Sequence, residues 1–269
     1  MFKVFLLLIL VPALGAESPN GELLAEASPL PAVTETIPLA VEETFEELLQ
    51  QESSLLASLS EAKKNSEKRA ELRAKINALG KKKLIPALGL GHTLRETEVM
   101  PSETLSKIAR RCQCSLELLL SLNQLPNPDR LYPKMKLYAP SGSAKIVVDK
   151  AKFELYLYIS ENLISIYPVG LGARGSDTPL GATTLSSSRA KFPSYTDKAT
   201  KKTYPYGDPL NPVGSRWMGL NIGRSYGIHG TNDETSVGRA RSHGCIRMKR
   251  EDLEELFDKV CIGDSVIIR

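Results

Sequence analysis

Tyr226-Gly227-Ile228-His229-Gly230-Thr231 and, eleven positions on, Ser242-His243-Gly244-Cys245-Ile246-Arg247-Met248 are the stretch on which this chain turns. Two of its three histidines lie within sixteen positions of one cysteine, each directly before a glycine. A nucleophilic thiol needs a base to take its proton and backbone N–H groups aimed at the developing oxyanion. Gly244 before Cys245 permits an unusual turn and close approach of a substrate. Arg239, Arg241 and Arg247 make the surroundings electropositive, which favours a thiolate and attracts carboxylates. The residues alone leave two rivals open. One is a metal site of His229, His243 and Cys245 with Cys261 as fourth ligand, although His-Gly-Cys lacks the ligand-pair spacing of structural zinc sites. The other is a pair of polar loop histidines beside a buried cysteine.

Around this stretch the chain reads as β. Lys145 to Asp149 and Phe153 to Ile159 alternate apolar residues, and Leu163 to Val169 gives a third strand. Gly170, Gly172, Gly175, Pro179 and Gly181 punctuate a turn-rich segment. Met218 to Ile222, Ser225 to Ile228 and Val266 to Ile268 add strand. Glu251 to Val260 is the one helix, with Leu253, Leu256, Phe257 and Val260 on one face. Strands followed by a late helix predict a mostly-β domain of about 125 residues, spanning 145–269.

The stretch Pro212 to Met248, with Ile228-His229-Gly230-Thr231-Asn232, Ser236-Val237-Gly238 and Ser242 to Met248, resembles the catalytic heart of the L,D-transpeptidases of the YkuD type. Tyr167-Pro168-Val169-Gly170 and Thr178-Pro179-Leu180-Gly181 fit the same family. The resemblance implies a β-sandwich-like fold with Cys245 as nucleophile and His229 as general base, its imidazole oriented by the Gly230 carbonyl. It implies an oxyanion site at His243 and the N–H groups of Gly244 and Cys245, and a substrate pocket with Arg247, Tyr226 and Trp217. Ser242 is expected as a structural hydrogen-bonder. The implied reaction acts on peptidoglycan stem peptides. A Cys245 thioester forms as D-Ala leaves, and an amine acceptor then closes a 3→3 cross-link. Water as acceptor would make the same site an L,D-carboxypeptidase or endopeptidase. No metal or cofactor is expected.

Upstream, Thr93 to Pro140 reads as strand, helix, helix, strand. Ser102 is expected to cap the first helix and Ser115 the second, Leu116 to Leu122, with Leu116, Leu119 and Leu120 inward. Thr104-Leu105…Ile108-Ala109, Leu119…Leu122-Asn123 and Leu131-Tyr132-Pro133…Leu137 resemble a LysM domain, a small α+β module that binds peptidoglycan glycan strands. Ser102-Glu103 stands where the module has Gly-Asp, and Lys134 where it has Gly. Cys112 and Cys114 read either as a redox pair or as two small core residues.

The N-terminal part has its own composition. Met1 to Ala16 has Lys3, an apolar run Val4 to Val11, and small residues at a cleavage site, which predicts a signal peptide and export to periplasm or cell wall. Glu17 to Ala40 is a Pro- and Glu-rich linker. Val41 to Leu79 carries an apolar stripe at helical spacing, stopped at Gly80 and followed by Lys81-Lys82-Lys83. Over 41–83 this predicts a helical spacer, or a short coiled coil that dimerises the chain weakly through 41–79. Ten Glu and no Lys or Arg lie from Glu17 to Ala62, and nine basic residues and two Glu from Lys63 to Lys83. The net charge of +4 and 6% aromatic content give no case for nucleic acid, and no segment is apolar enough for a stable membrane span. A non-enzymatic wall-binding scaffold is the reading outside enzymology.

Overall fold

The computed structural model describes residues 43–62, 65–125, 127–197, 199–223 and 226–269. The signal peptide and linker expected over 1–16 and 17–40 lie outside them. The first elements are α1 (Phe45–Glu61), α2 (Ser66–Lys82), α3 (Pro86–Gly89), β1 (Leu94–Glu98), α4 (Leu105–Arg111), α5 (Leu116–Asn123) and β2 (Lys136–Pro140). Next come β3 (Ala144–Asp149), β4 (Glu154–Ile159), β5 (Asn162–Pro168), β6 (Leu171–Gly172), β7 (Gly181–Lys191), β8 (Tyr195–Thr196) and β9 (Thr203–Tyr204). The chain ends with β10 (Arg216–Leu220), β11 (Gly227–His229), β12 (Ala240–Ser242), β13 (Ile246–Arg247), α6 (Arg250–Lys259) and β14 (Ser265–Ile268).

One eight-stranded sheet, in the order β13-β11-β10-β7-β14-β3-β4-β5, frames the C-terminal part, and α6 is the helix expected there. The last strand sits inside this sheet, parallel to β3 and antiparallel to β7. Met218, Ile228 and Ile246 meet Leu253, Leu256 and Phe257 of α6 in one buried cluster. The strand β7 was not expected. Its sequence Gly-Ala-Thr-Thr-Leu-Ser-Ser-Ser-Arg-Ala-Lys buries only Leu185 and lacks apolar alternation.

Two helices stand where one was expected over 41–79. Ala62 leaves helical geometry at ψ 34, and Asn65 accepts the Lys68 N–H at 2.9 Å, so a new N-cap restarts the helix. Gly80 does not stop it, because α2 runs on to Lys82. Nor is the helix a solvated spacer. Leu59, Leu72 and Ile76 are buried with Val147, Tyr156, Leu163 and Ile166 of β3, β4 and β5. Arg69 and Arg73 both reach Glu154, which is 1% exposed, and the buried Lys83 ammonium lies 2.7 Å from Glu52. Asn77 closes the edge of β5 by bonding both ways to the Ile166 backbone, at 3.1 and 2.7 Å. The stripe expected to pair with a second copy is therefore covered within the chain.

In the preceding unit β1 pairs antiparallel with β2, from Leu94 opposite Pro140 to Glu98 opposite Lys136. Thr104, not Ser102, caps α4, accepting the Lys107 N–H, while Ser115 caps α5 as expected. The inward leucines of α5 are Leu118, Leu119 and Leu122, with Leu116 and Leu120 half-buried. Ser102 and Lys134, the residues at the two missing glycines, both adopt left-handed backbone, at φ 60 and 68. The turns are kept and the glycines are not, a conformation that costs an L-residue roughly 1 kcal/mol. Lys134→Gly is expected to raise stability by about 0.5–1 kcal/mol, read as an upward shift of the urea midpoint. An unchanged midpoint would mean that the Lys134 side chain stabilises the turn in its own way. This unit shares its core with the sheet. Ser115 Oγ donates to the Asp258 carbonyl, and Lys191 pairs with Glu117 at 2.6 Å.

Candidate active site

The strand β11 lies between β10 and β13. Trp217 stands opposite His229, and His229 beside Arg247. Strand alternation sets these three in a row on one face and Met218, Ile228 and Ile246 on the other, where all three are buried. Cys245, half-buried, stands two residues before Arg247, immediately ahead of β13.

His229 is 7% exposed, and its Nδ1 lies 2.6 Å from the Gly230 carbonyl oxygen. A carbonyl only accepts, so Nδ1 carries the proton and Nε2 presents a lone pair. Burial pushes the imidazole down to about 4; the Gly230 bond opposes this and the Arg247 charge adds to it. His229 is thus neutral at physiological pH. The Trp217 ring stacks on it at 5.7 Å between centroids, and the indole N–H donates to Ser188 Oγ at 3.0 Å.

The turn before Cys245 is built by Ser242, whose hydroxyl accepts the Gly244 N–H at 3.1 Å and donates to the Cys245 carbonyl at 2.6 Å. The Gly244 amide, expected at the oxyanion, thus donates to Ser242 in this structure. What Gly244 supplies is conformation: φ is +109, and a Cβ there would fall 2.6 Å from Tyr226 Cε1. Gly244→Ala must displace the Tyr226 ring or the Cys245 turn. It is expected to lower kcat about a hundredfold in a folded enzyme, the scale set by a displacement of about 1 Å; wild-type rates would show that the turn absorbs the methyl.

His243 is exposed, whereas Tyr226 and Trp217 are half-buried. Arg247 is part-exposed, yet its Nε is buried with no hydrogen-bond partner among the described residues. Among the described residues no three His, Cys, Asp or Glu converge on a point that could hold an ion. Cys261 follows α6, where its N–H donates to Asp264 at 2.7 Å and burial pushes its thiol up to about 12. Cys112 and Cys114 are buried thiols rather than a disulfide, and burial pushes Cys114 up to about 12 as well.

A family model described as the L,D-transpeptidase catalytic domain, YkuD, matches residues 143–268. YqjB of Bacillus subtilis (strain 168), a protein that carries the L,D-transpeptidase family name, is 37% identical over 131 residues, 47% of this chain and 72% of YqjB. The chain belongs to the L,D-transpeptidase family. In this L,D-transpeptidase a LysM domain, matched over 98–140, precedes the catalytic domain. YbiS of Escherichia coli (strain K12), which carries the same family name, is 33% identical over 187 residues, 61% of this chain. The chain spans 60% of the length of YbiS. Among solved structures, an L,D-transpeptidase from Stackebrandtia nassauensis aligns at 23% identity with a TM-score of 0.37, over 48% of this chain and 56% of that one. No helix among the described residues is long and apolar enough to cross a membrane.

Two buried residues beside the candidate site were missed in the sequence. Asn211 sits in Asp208-Pro209-Leu210-Asn211-Pro212, which reads as an ordinary turn, yet it is 4% exposed. Arg216 is buried with its guanidinium 4.8 Å from the Phe192 ring and 5.3 Å from the Phe257 ring. A cationic residue in an apolar-alternating strand was the only signal for it.

Proposed function

We propose that this chain is an exported cell-wall enzyme that cross-links peptidoglycan stem peptides through a Cys245 thioester. The observation that carries this is the His229 imidazole, neutral, buried and tied at Nδ1 to Gly230, which leaves Nε2 as the acceptor. Because His229 rests neutral, the Cys245 proton moves to Nε2 as Sγ attacks the carbonyl of the third stem residue. The tetrahedral oxyanion is received by the Cys245 N–H and the His243 side chain. The C–N bond to D-Ala breaks, the imidazolium returns its proton to the departing amine, and a thioester remains. A side-chain amine of a second stem attacks the thioester, passes its proton to His229, and closes a 3→3 cross-link as the thiol leaves. Arg247, part-exposed and beside His229 on the neighbouring strand, suits a substrate carboxylate through its guanidinium. The LysM domain holds the enzyme to glycan strands, which raises the effective concentration of stems.

The test is mass spectrometry of a disaccharide-tetrapeptide incubated with the mature protein, with Cys245→Ala as control. A dimer lacking one D-Ala, formed only with Cys245, is expected. A monomer shortened by D-Ala and no dimer would make the protein an L,D-carboxypeptidase. No Cys245-dependent change, with equal iodoacetamide labelling of all four thiols, would favour a wall-binding scaffold.

A further inference from the structure

The segment joining β7 to β10 folds back against the strand that carries His229, and one buried amide organises it. Asn211 Nδ2 lies 3.0, 3.3 and 3.2 Å from the carbonyl oxygens of Pro193, Tyr204 and Pro205, and Oδ1 accepts the Val213 N–H at 2.9 Å. The Asn211 N–H donates to the Asp208 carbonyl at 2.9 Å. The turn so fixed, Val213-Gly214, presses on Gly230. A Cβ on Gly230 would fall 3.0 Å from the Val213 oxygen and 3.1 Å from Gly214 Cα. Gly214 itself takes φ +72. Asn232 ties the same segment down through the Pro209 carbonyl at 2.9 Å.

A glycine peptide rotates readily, because no Cβ restricts it. Gly230 carries the oxygen that holds His229 Nδ1, so a free rotation there would release the imidazole. The close contact of Val213 and Gly214 bars that rotation. We propose that Asn211 is a positioning residue for His229, acting through the Val213-Gly214 turn to hold the Gly230 carbonyl on Nδ1. This rests on the reading of His229 as the general base. The charged group facing His229 from β13 is Arg247; Trp217 faces it from β10, and the Asn211 to Gly214 turn brings no charge.

Three histidines make the test direct. In protein labelled with 15N-histidine, the His229 resonances are assigned by their loss in His229→Gln. Wild type is expected to show the Nδ1–H tautomer alone. Asn211→Ala is expected to show exchange between both tautomers, with kcat at least tenfold lower, KM within twofold, and a cooperative melt. Asn211→Asp keeps the shape and the acceptor for Val213 but loses the donors, so it should follow the alanine variant. It carries the same reading if Asn211→Ala does not fold. A folded variant that keeps His229 in the single Nδ1–H tautomer overturns the proposal, whatever its stability, since a merely structural role would move the melt and not the tautomer. The tautomer is read without substrate. Inactivity of the wild type on muropeptides would therefore sink the transpeptidase reading and leave this one standing, while a locked tautomer in a variant would sink only this one.

Discussion

His229→Gln is expected to lower kcat for D-Ala release by about a thousandfold, the middle of the range for removing a general base. Glutamine keeps much of the side-chain volume and can still donate towards the Gly230 carbonyl, but it offers no basic nitrogen to the thiol. The wild-type profile carries a second signature. The proposed mechanism needs an unprotonated Nε2, and burial holds the imidazole at about 4. The acid limb of kcat/KM should therefore fall near pH 4 instead of near 6.5, measured by D-Ala release from pH 3.5 to 8 on enzyme shown to be folded at each pH. An acid limb near 6.5 would mean that water reaches the imidazole and that its burial against Trp217 is not kept in solution.

The same shift makes a stability statement. A buried imidazole with a folded pKa of about 4 and an unfolded value near 6.5 binds no proton in the native state while the unfolded chain does, so stability falls as pH drops below 6.5. The loss is complete below pH 4 and amounts to about 3 kcal/mol. Asp252 and Asp264 work against it. Burial raises both to about 6, so the native state takes up protons there first and gains stability as pH falls. The net profile mixes these contributions, and the His229 part is the difference between wild type and His229→Gln in urea melts at pH 7 and pH 4. The variant should be relatively more stable at pH 4.

Local periodicity made much of the fold legible. The strands β3, β4 and β5 are rich in Ile, Leu, Val and Tyr and are buried on both faces, α6 has a one-sided apolar face, and the strand-helix-helix-strand order of the LysM domain follows from its capping residues and leucines. What escaped is set by tertiary contact. The strand β7 is mostly Ser and Thr, and only its place between β10 and β14 makes it a strand. The helix break at Asn65 is set by a capping residue inside the stripe, and the docking of α2 is decided by β5. At the site, spacing grouped His229, His243 and Cys245, and the family resemblance supplied the roles expected of them. Spacing could not reveal that the Gly244 N–H is engaged by Ser242, or that Asn211 presses a distant turn onto Gly230. The first is a bond within one turn, set by the turn's conformation, and the second depends on backbone brought together from separate loops, for which a local pattern holds no record.

Gly80→Ala is expected to cost about 3 kcal/mol, the upper part of the range for overpacking a rigid contact. Gly80 lies where the last turn of α2 crosses β5, and a Cβ there would fall 1.9 Å from the Ile164 carbonyl oxygen, 2.5 Å from its carbon and 2.7 Å from its Cα. All three atoms are backbone of a paired strand, so no rotamer change relieves the overlap, and α2 must back away from the sheet. That movement stretches the Asn77 to Ile166 bonds and the link from Lys83 to the Leu163 carbonyl, and it draws Arg69 and Arg73 off Glu154. A carboxylate that is 1% exposed is then left buried without its cations, which is what makes a broken buried pair costly. Urea unfolding of wild type and variant measures the loss, with Lys75→Ala, on the exposed face of α2, expected within about 0.5 kcal/mol of wild type. A Gly80→Ala protein as stable as wild type would mean that α2 does not approach β5 this closely. A two-step transition would mean that the helical pair leaves while the sheet stays folded, which would make α1 and α2 a separable cover and not part of the catalytic core.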